Sequence, residues 1–135
     1  MNISVVGTGY VGLVSGVCFA ELGNKVICVD NNKEKIAMLK ENKLPIFEPG
    51  LEELLKINVK SRRLSFSSEI KDAVKSSEII FIAVGTPSKE NGEADLTYVE
   101  NVAKEIAKHI SDYKLIVEKS TVPVETGKWI EHTIR

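Results

Sequence analysis

The chain has 135 residues, of which 43% are hydrophobic and 27% are charged, and its formal net charge is −1. This length and composition are typical of one globular domain with a substantial core. The small net charge gives no electrostatic basis for binding a nucleic acid or an anionic membrane. No apolar run approaches the roughly 20 residues of a membrane span, and the N-terminus lacks a signal-peptide pattern, so we expect a cytoplasmic protein.

Short apolar runs alternate with segments of helical spacing along the whole chain. The predicted strands are 2–7, 25–30, 63–67, 78–84 and 114–119. The predicted helices are 10–23, about 32–42, 51–59, 68–75, 97–110 and 124–135. This alternation indicates an α/β fold of the Rossmann type, a doubly wound parallel sheet with helices on both faces, over residues 1–135. Right-handed crossovers predict the strand order 3-2-1-4-5, truncated before the sixth strand of such a sheet.

A glycine-rich loop connects the first predicted strand to the first predicted helix. Its sequence, Gly7-Thr8-Gly9-Tyr10-Val11-Gly12, has the GxGxxG spacing. In a dinucleotide-binding loop, Gly7 permits the tight turn, Gly9 lets the backbone approach a pyrophosphate and Gly12 lets the helix pack close to the strand. The helix N-terminus then offers free N–H groups to the phosphates. A glycine turn without a ligand is the alternative interpretation.

Asp30 ends the second predicted strand, 18 residues after Gly12. An acidic residue at about this distance accepts hydrogen bonds from a ribose hydroxyl, and it repels the 2′-phosphate of NADP, so the pattern favours NAD. Lys33 and Lys35 follow, but no arginine does. Two alternatives remain: Asp30 caps the next helix, or the loop belongs to an S-adenosylmethionine site, whose glycine loop usually differs from this one.

The two cysteines and two histidines show no pattern of a metal site. Cys18 and Cys28 lie in apolar stretches without a histidine at ligand spacing. We therefore expect reduced, buried cysteines and no bound metal. His109 and His132 fall on predicted helices among charged residues, which predicts surface positions.

Several further motifs occur in a specific order along the chain. They are Gly7–Gly12 followed by Leu13, Glu48-Pro49-Gly50-Leu51, Val84-Gly85-Thr86-Pro87 with Gly92, Ala94-Asp95-Leu96, and Lys119-Ser120-Thr121-Val122-Pro123. Together they resemble the UDP-glucose/GDP-mannose dehydrogenase family, and the resemblance covers the whole chain but only roughly the first third of such an enzyme. One departure is Glu125, where the family usually has glycine.

The resemblance implies roles for individual residues. Tyr10 and Val11 would present backbone groups to NAD, and Asp30 and Lys35 would hold its adenosine ribose. Thr86 would contact NAD after the fourth strand. Thr121 would lie near the nicotinamide and support catalysis. From the residues alone, either threonine could instead form a turn before proline, and Glu48-Pro49-Gly50 could be only a rigid turn.

The resemblance also implies a reaction, the oxidation of a nucleotide-sugar 6-hydroxyl to a carboxylate with reduction of two NAD. UDP-glucose is the expected substrate and polysaccharide biosynthesis the expected role, with GDP-mannose or a UDP-N-acetylhexosamine as alternative substrates. The family's nucleophilic cysteine, central helix and sugar-binding domain lie beyond residue 135, so we expect the isolated chain to be inactive. A stand-alone NAD-binding module without catalysis is the alternative.

The fifth predicted strand, around residues 115–118, would have one unpaired edge. The following segment carries Trp129, Ile130 and Ile134, which would lose part of their cover. Because exposed apolar edges pair with other chains, we expect self-association through this side or a terminal helix folded over the edge. A stable monomer with the last helix packed on strands 4 and 5 is the alternative.

Overall fold

A computed structural model describes all residues 1–135 and contains five strands and six helices. The strands are β1 (Asn2–Val6), β2 (Lys25–Val29), β3 (Leu64–Ser67), β4 (Ile79–Ile82) and β5 (Leu115–Glu118). The helices are α1 (Tyr10–Glu21), α2 (Lys33–Lys40), α3 (Leu51–Lys60), α4 (Ile70–Ser76), α5 (Thr97–His109) and α6 (Thr126–Ile134). Every predicted element is confirmed, with bounds that differ by one or two residues.

All five strands are parallel and form one sheet in the order β3-β2-β1-β4-β5, which confirms the predicted topology. Val6 pairs with Val29 on one side and with Ile82 on the other. The carboxyl ends of the three central strands are therefore level with one another. The strand order reverses between β1 and β4, the place where ligands bind in sheets of this kind.

The core has two parts, one on each face of the sheet, because neighbouring residues of a strand point to opposite faces. Val5 packs with α1, α2 and α3, whereas Val6 packs with α4, α5 and α6. The first part has 13 buried residues and the second has 8. Both faces of β1 are thus covered, which explains why Ser4 is as fully buried as the apolar residues of the strand.

Helix α1 buries a different face from the one that its large apolar residues suggest. The sequence places Val11, Val14, Cys18 and Leu22 on one face, but Val11, Cys18 and Leu22 are exposed. The buried residues are Gly12, Leu13, Gly16, Val17 and Ala20. The two glycines decide the outcome, because they let α1 approach the sheet: a Cβ on Gly16 would lie 2.5 Å from Cys28 Sγ.

The β5 side of the sheet is less completely covered. Leu115 is 47% exposed, and the outer edge of β5 has no strand beside it. Helix α6 packs against α5, with Ile130 buried in the second core part and Trp129 39% exposed. None of the six helices has the length and hydropathy needed to cross a bilayer.

Candidate functional site

The glycine-rich loop is held tightly where β1, α1 and β4 meet. Gly7 has φ +110°, a conformation that disfavours any residue with a Cβ, and an added Cβ would lie 2.3 Å from the Ala83 carbonyl oxygen. A Cβ on Gly12 would lie 2.0 Å from the Gly7 carbonyl oxygen. Only glycine fits at these two positions, which the GxGxxG spacing anticipates.

Gly9 faces open space instead, since an added Cβ would meet no atom within 4 Å. The first helical hydrogen bond of α1 runs from the Leu13 N–H to the Gly9 carbonyl, at 2.9 Å. The N–H groups of Gly9, Tyr10, Val11 and Gly12 donate to no acceptor within the chain. Four unsatisfied donors at the positive end of a helix dipole fit an anion such as a pyrophosphate.

Asp30 lies beside this loop and is bonded to it. Its Oδ2 accepts hydrogen bonds from the Thr8 N–H at 3.0 Å and from the Thr8 hydroxyl at 2.7 Å. Its Oδ1 accepts from the Asn32 N–H at 2.9 Å. From the sequence, Asp30 could cap the next helix. In the structure Asn32 caps α2 instead, since its side chain accepts from the Lys35 N–H.

A groove of about 640 Å³ runs along the carboxyl edge of the sheet beside these residues. Of the predicted site residues, it is lined by Gly7, Gly9, Asp30 and Lys35. Its far wall consists of residues that sequence reasoning did not identify, namely 68–70 and Tyr98, Asn101, Val102 and Glu105. The last four recur at helical spacing on α5, next to the stripe of core residues, and this spacing could have indicated a second functional face.

A smaller cleft of about 260 Å³ lies on the other side of Gly9 and Gly85, which line both spaces. It contains the remaining predicted site residues except Gly12, namely Tyr10, Val11, Thr86 and Thr121. The Thr86 hydroxyl donates to the Thr121 carbonyl at 2.8 Å and so joins the loops after β4 and β5. Gly12 lines neither space, because it packs beneath the loop.

The segment between α2 and α3 contacts the glycine loop through one side chain. The Tyr10 hydroxyl donates to the Phe47 carbonyl at 3.2 Å. Gly50 precedes α3 with φ +80°, a left-handed conformation, which gives the Glu48-Pro49-Gly50 segment a turn. The segment lines a separate cleft and neither space described above.

The cysteines differ from each other. Cys28 is buried as predicted, and burial raises the pKa of its thiol to about 12. The prediction of a buried Cys18 is wrong, because α1 presents its glycine face to the sheet and leaves Cys18 exposed. No group of three or more His, Cys, Asp or Glu side chains is placed to hold a metal ion.

Glu118 ends β5 just before the loop that carries Thr121. Its Oε1 accepts from the Ser120 N–H at 2.7 Å, whereas its Oε2 is buried without a partner. Desolvation by burial raises the pKa of this carboxyl, and the hydrogen bonds from Ser120 only partly offset that effect. The loop that carries Thr121 therefore begins beside a carboxyl group whose ionised form is disfavoured by burial.

Residues 1–135 match the UDP-glucose/GDP-mannose dehydrogenase family, NAD binding domain. The chain is 56% identical to the UDP-glucose 6-dehydrogenase TuaD of Bacillus subtilis, over 99% of this chain and 29% of that protein. It is 53% identical to a UDP-glucose 6-dehydrogenase of Rhizobium meliloti, over 100% of this chain and 31% of that protein. The chain thus spans about a third or less of these relatives.

Solved structures of similar proteins have the same fold. A ternary complex of GDP-mannose dehydrogenase from Pseudomonas aeruginosa superposes with a TM-score of 0.92 at 42% identity, over 98% of this chain and 32% of that one. A UDP-glucose dehydrogenase from the archaeon Pyrobaculum islandicum gives a TM-score of 0.93 at 40% identity, over 98% and 32%.

Proposed function

Since this chain belongs to the UDP-glucose/GDP-mannose dehydrogenase family and forms its NAD-binding domain, we propose that the whole protein oxidises UDP-glucose to UDP-glucuronate. The observation that supports NAD as the cofactor is the set of four free N–H groups at the start of α1, beside a groove that contains Asp30. The sugar is inferred from the identities of 56% and 53% to UDP-glucose 6-dehydrogenases.

In this proposal the NAD pyrophosphate binds at the glycine loop, where the groove meets the smaller cleft, on the N–H groups of Gly9, Tyr10 and Val11. Asp30 binds the adenosine ribose, with Lys35 beside it in the groove. An ionised carboxylate offers about four lone-pair sites, and three are already used in the protein, so one site on Oδ1 remains for a ribose hydroxyl. The geometry therefore fits the adenosine end of NAD.

We place the nicotinamide end at the smaller cleft, with Thr86 and Thr121. NAD supplies a hydride acceptor when bound. The hydrogen bond from the Thr86 hydroxyl to the Thr121 carbonyl fixes the two loops relative to each other. Thr121 is the supporting catalytic residue of this proposal, since its hydroxyl is not committed to any hydrogen bond within the chain.

The nucleophile of the proposed reaction is assigned to a part of the protein outside these 135 residues, together with the central helix and the sugar-binding domain. The support lies in the two cysteines. A thiol must ionise to attack, and Cys28 is buried with a pKa raised to about 12. Cys18 lies on α1 and lines neither the groove nor the smaller cleft.

Calorimetry with NAD and NADP tests the cofactor site. We expect tighter binding of NAD, because Asp30 repels a 2′-phosphate, and Asp30→Ala should weaken NAD binding by about 1–3 kcal/mol. Glu131→Ala is the control, since the Glu131 carboxylate forms only an exposed ion pair with Arg135 on α6 and lines neither the groove nor the smaller cleft. Equal or tighter binding of NADP by the wild-type chain would contradict the proposal.

NAD reduction, followed at the nicotinamide absorbance, tests the reaction. We expect no reduction by the 135-residue chain with UDP-glucose, and two NAD reduced per UDP-glucose by the whole protein. A whole protein that oxidises only GDP-mannose or a UDP-N-acetylhexosamine would overturn the substrate assignment. A whole protein that binds NAD and oxidises no nucleotide sugar would favour the stand-alone binding module.

We also propose that the 135-residue chain self-associates through the outer edge of β5. The unpaired edge, the half-exposed Leu115 and the 88% exposed Tyr113 support this. Light scattering over a concentration series, with the fluorescence of Trp129, is the test, and a concentration-independent monomer contradicts self-association.

As the compartment of the protein we propose the cytoplasm. As its wider role we propose polysaccharide biosynthesis, for which a uronic acid product is suited.

A further inference from the structure

Thr8 is a buried polar residue inside the glycine-rich loop. Its side chain has no exposed surface, although it lies between two glycines at the end of β1. Its hydroxyl and its own backbone N–H both donate to one atom, Asp30 Oδ2, at 2.7 Å and 3.0 Å. Of the three hydrogen bonds that hold the Asp30 carboxylate, this hydroxyl supplies the only one that comes from a side chain.

These bonds determine which carboxylate oxygen is free. Oδ2 accepts two hydrogen bonds, which occupy its two lone pairs, whereas Oδ1 accepts only one, from the Asn32 N–H. Without the hydroxyl, Oδ2 regains a free site and only the N–H groups of Thr8 and Asn32 hold the carboxylate, whose terminal torsion has a broad energy minimum. A ligand hydroxyl would then bind a carboxylate that is less preorganised.

We propose that Thr8 is a positioning residue, which orients the free site on Asp30 Oδ1 toward the adenosine ribose and thereby strengthens the recognition of a ribose hydroxyl. This inference rests on the proposed NAD site. The GxGxxG pattern leaves the residue type at this position open, but the geometry demands a short side chain with a hydroxyl at the γ position. Threonine and serine meet that demand, whereas valine fills the same volume without the donor.

The test compares two ligands, NAD and an NAD analogue whose adenosine ribose lacks both hydroxyls. The quantity that matters is the ratio of their dissociation constants, measured by calorimetry on the 135-residue chain. In the wild type we expect the analogue to bind about tenfold more weakly, the effect of losing a hydrogen bond to a charged group. In Thr8→Val the ratio should fall at least about threefold, because ribose recognition weakens more than phosphate binding.

Thr8→Ser is the matched control, because it keeps the hydroxyl and should keep the wild-type ratio. Thr8→Ala gives a second variant without the hydroxyl if valine prevents folding, and thermal unfolding monitors the fold of each variant. A Thr8→Val or Thr8→Ala protein that binds both ligands more weakly with an unchanged ratio would show a merely structural role and overturn the inference. A folded wild-type chain that binds neither ligand overturns the proposed function itself, and the inference with it.

Discussion

The glycine loop and the β5 side of the sheet differ in how closely their residues are packed. At the glycine loop, Gly7 and Gly12 leave no room for a Cβ, and Val5 and Thr8 have no exposed surface. At the β5 side, no residue of the strand is fully buried, and α6 begins after Glu125 with φ +78°. Close packing thus fixes the backbone of the loop proposed to hold the pyrophosphate. The loop that carries Thr121 has fewer packing contacts that fix its backbone.

This contrast agrees with the different functions that we propose for the glycine loop and for the loop that carries Thr121. Phosphate binding by backbone N–H groups requires a fixed backbone, because those donors cannot adjust by changing rotamer. The Thr121 hydroxyl, which is not committed to a hydrogen bond within the chain, can adjust by changing rotamer. Substitutions should therefore have larger effects at the glycine loop than at the β5 side.

The largest effect is expected for Gly12→Ala. Its Cβ would lie 2.0 Å from the Gly7 carbonyl oxygen, a backbone atom that can move only if α1 moves away from β1. We expect a loss of more than about 3 kcal/mol in the free energy of unfolding, measured with denaturant. Gly127→Ala is the control, because its Cβ meets no atom within 4 Å, and helix propensity predicts a gain of up to about 1 kcal/mol. Equal effects at both glycines would remove the contrast.

Ile130→Ala tests how firmly α6 is attached. Ile130 is 3% exposed and packs in the second core part, so truncation should lower the free energy of unfolding by about 2–3 kcal/mol. Ile134→Ala, on the same helix but only partly buried, should cost less. A loss below about 1 kcal/mol at Ile130 would mean that α6 is not anchored in the core of the isolated chain.

Glu125→Gly should stabilise the chain. Glu125 has φ +78°, a left-handed conformation that strains residues with a Cβ and favours glycine. We expect a gain of about 1 kcal/mol in the free energy of unfolding. Glu125→Ala is the control, because it removes the exposed ion pair with Lys128 but keeps the Cβ and the strain. A gain with alanine equal to that with glycine would rule out backbone strain as the cause.

The smallest effect concerns Glu118 and pH. Burial raises its pKa in the folded state, so the folded state binds the proton more tightly than the unfolded state does. The stabilisation is complete below the unfolded pKa and is lost as pH rises through the folded pKa. Unfolding curves from pH 4 to pH 8 should thus show Glu118→Gln gaining stability over the wild type as pH rises. A constant difference across that range would contradict the assignment to Glu118.

Most of the fold follows from local patterns. Apolar runs of strand length and segments of helical spacing located all eleven elements, and the crossover rule then gave the strand order. The GxGxxG spacing identified Gly7, Gly9 and Gly12, whose structural environments match the expected functions in turn, ligand approach and close packing. The assignment of Tyr10, Val11, Asp30, Lys35, Thr86 and Thr121 to NAD stays a prediction, although the structure places them along two adjoining spaces.

The buried face of α1 depended on information that the sequence pattern does not carry. Its large apolar residues predicted one face, but the helix buries the face with Gly12 and Gly16. The number of contacts that a helix makes depends on how near it comes to the sheet, and glycine decides that distance. Cys18 is exposed for the same reason.

The element order, the parallel sheet and the position of the phosphate-binding loop are predictable from the chain, because each of these depends on patterns among residues that are close together in sequence. Other features arise only when the chain is folded: Thr8 donates to Asp30, Thr86 donates to the Thr121 carbonyl, and one oxygen of Glu118 is buried without a partner. The first two contacts join residues 22 and 35 positions apart. Such contacts depend on the register of neighbouring strands and on side-chain rotamers, which the period of a hydrophobic pattern does not specify.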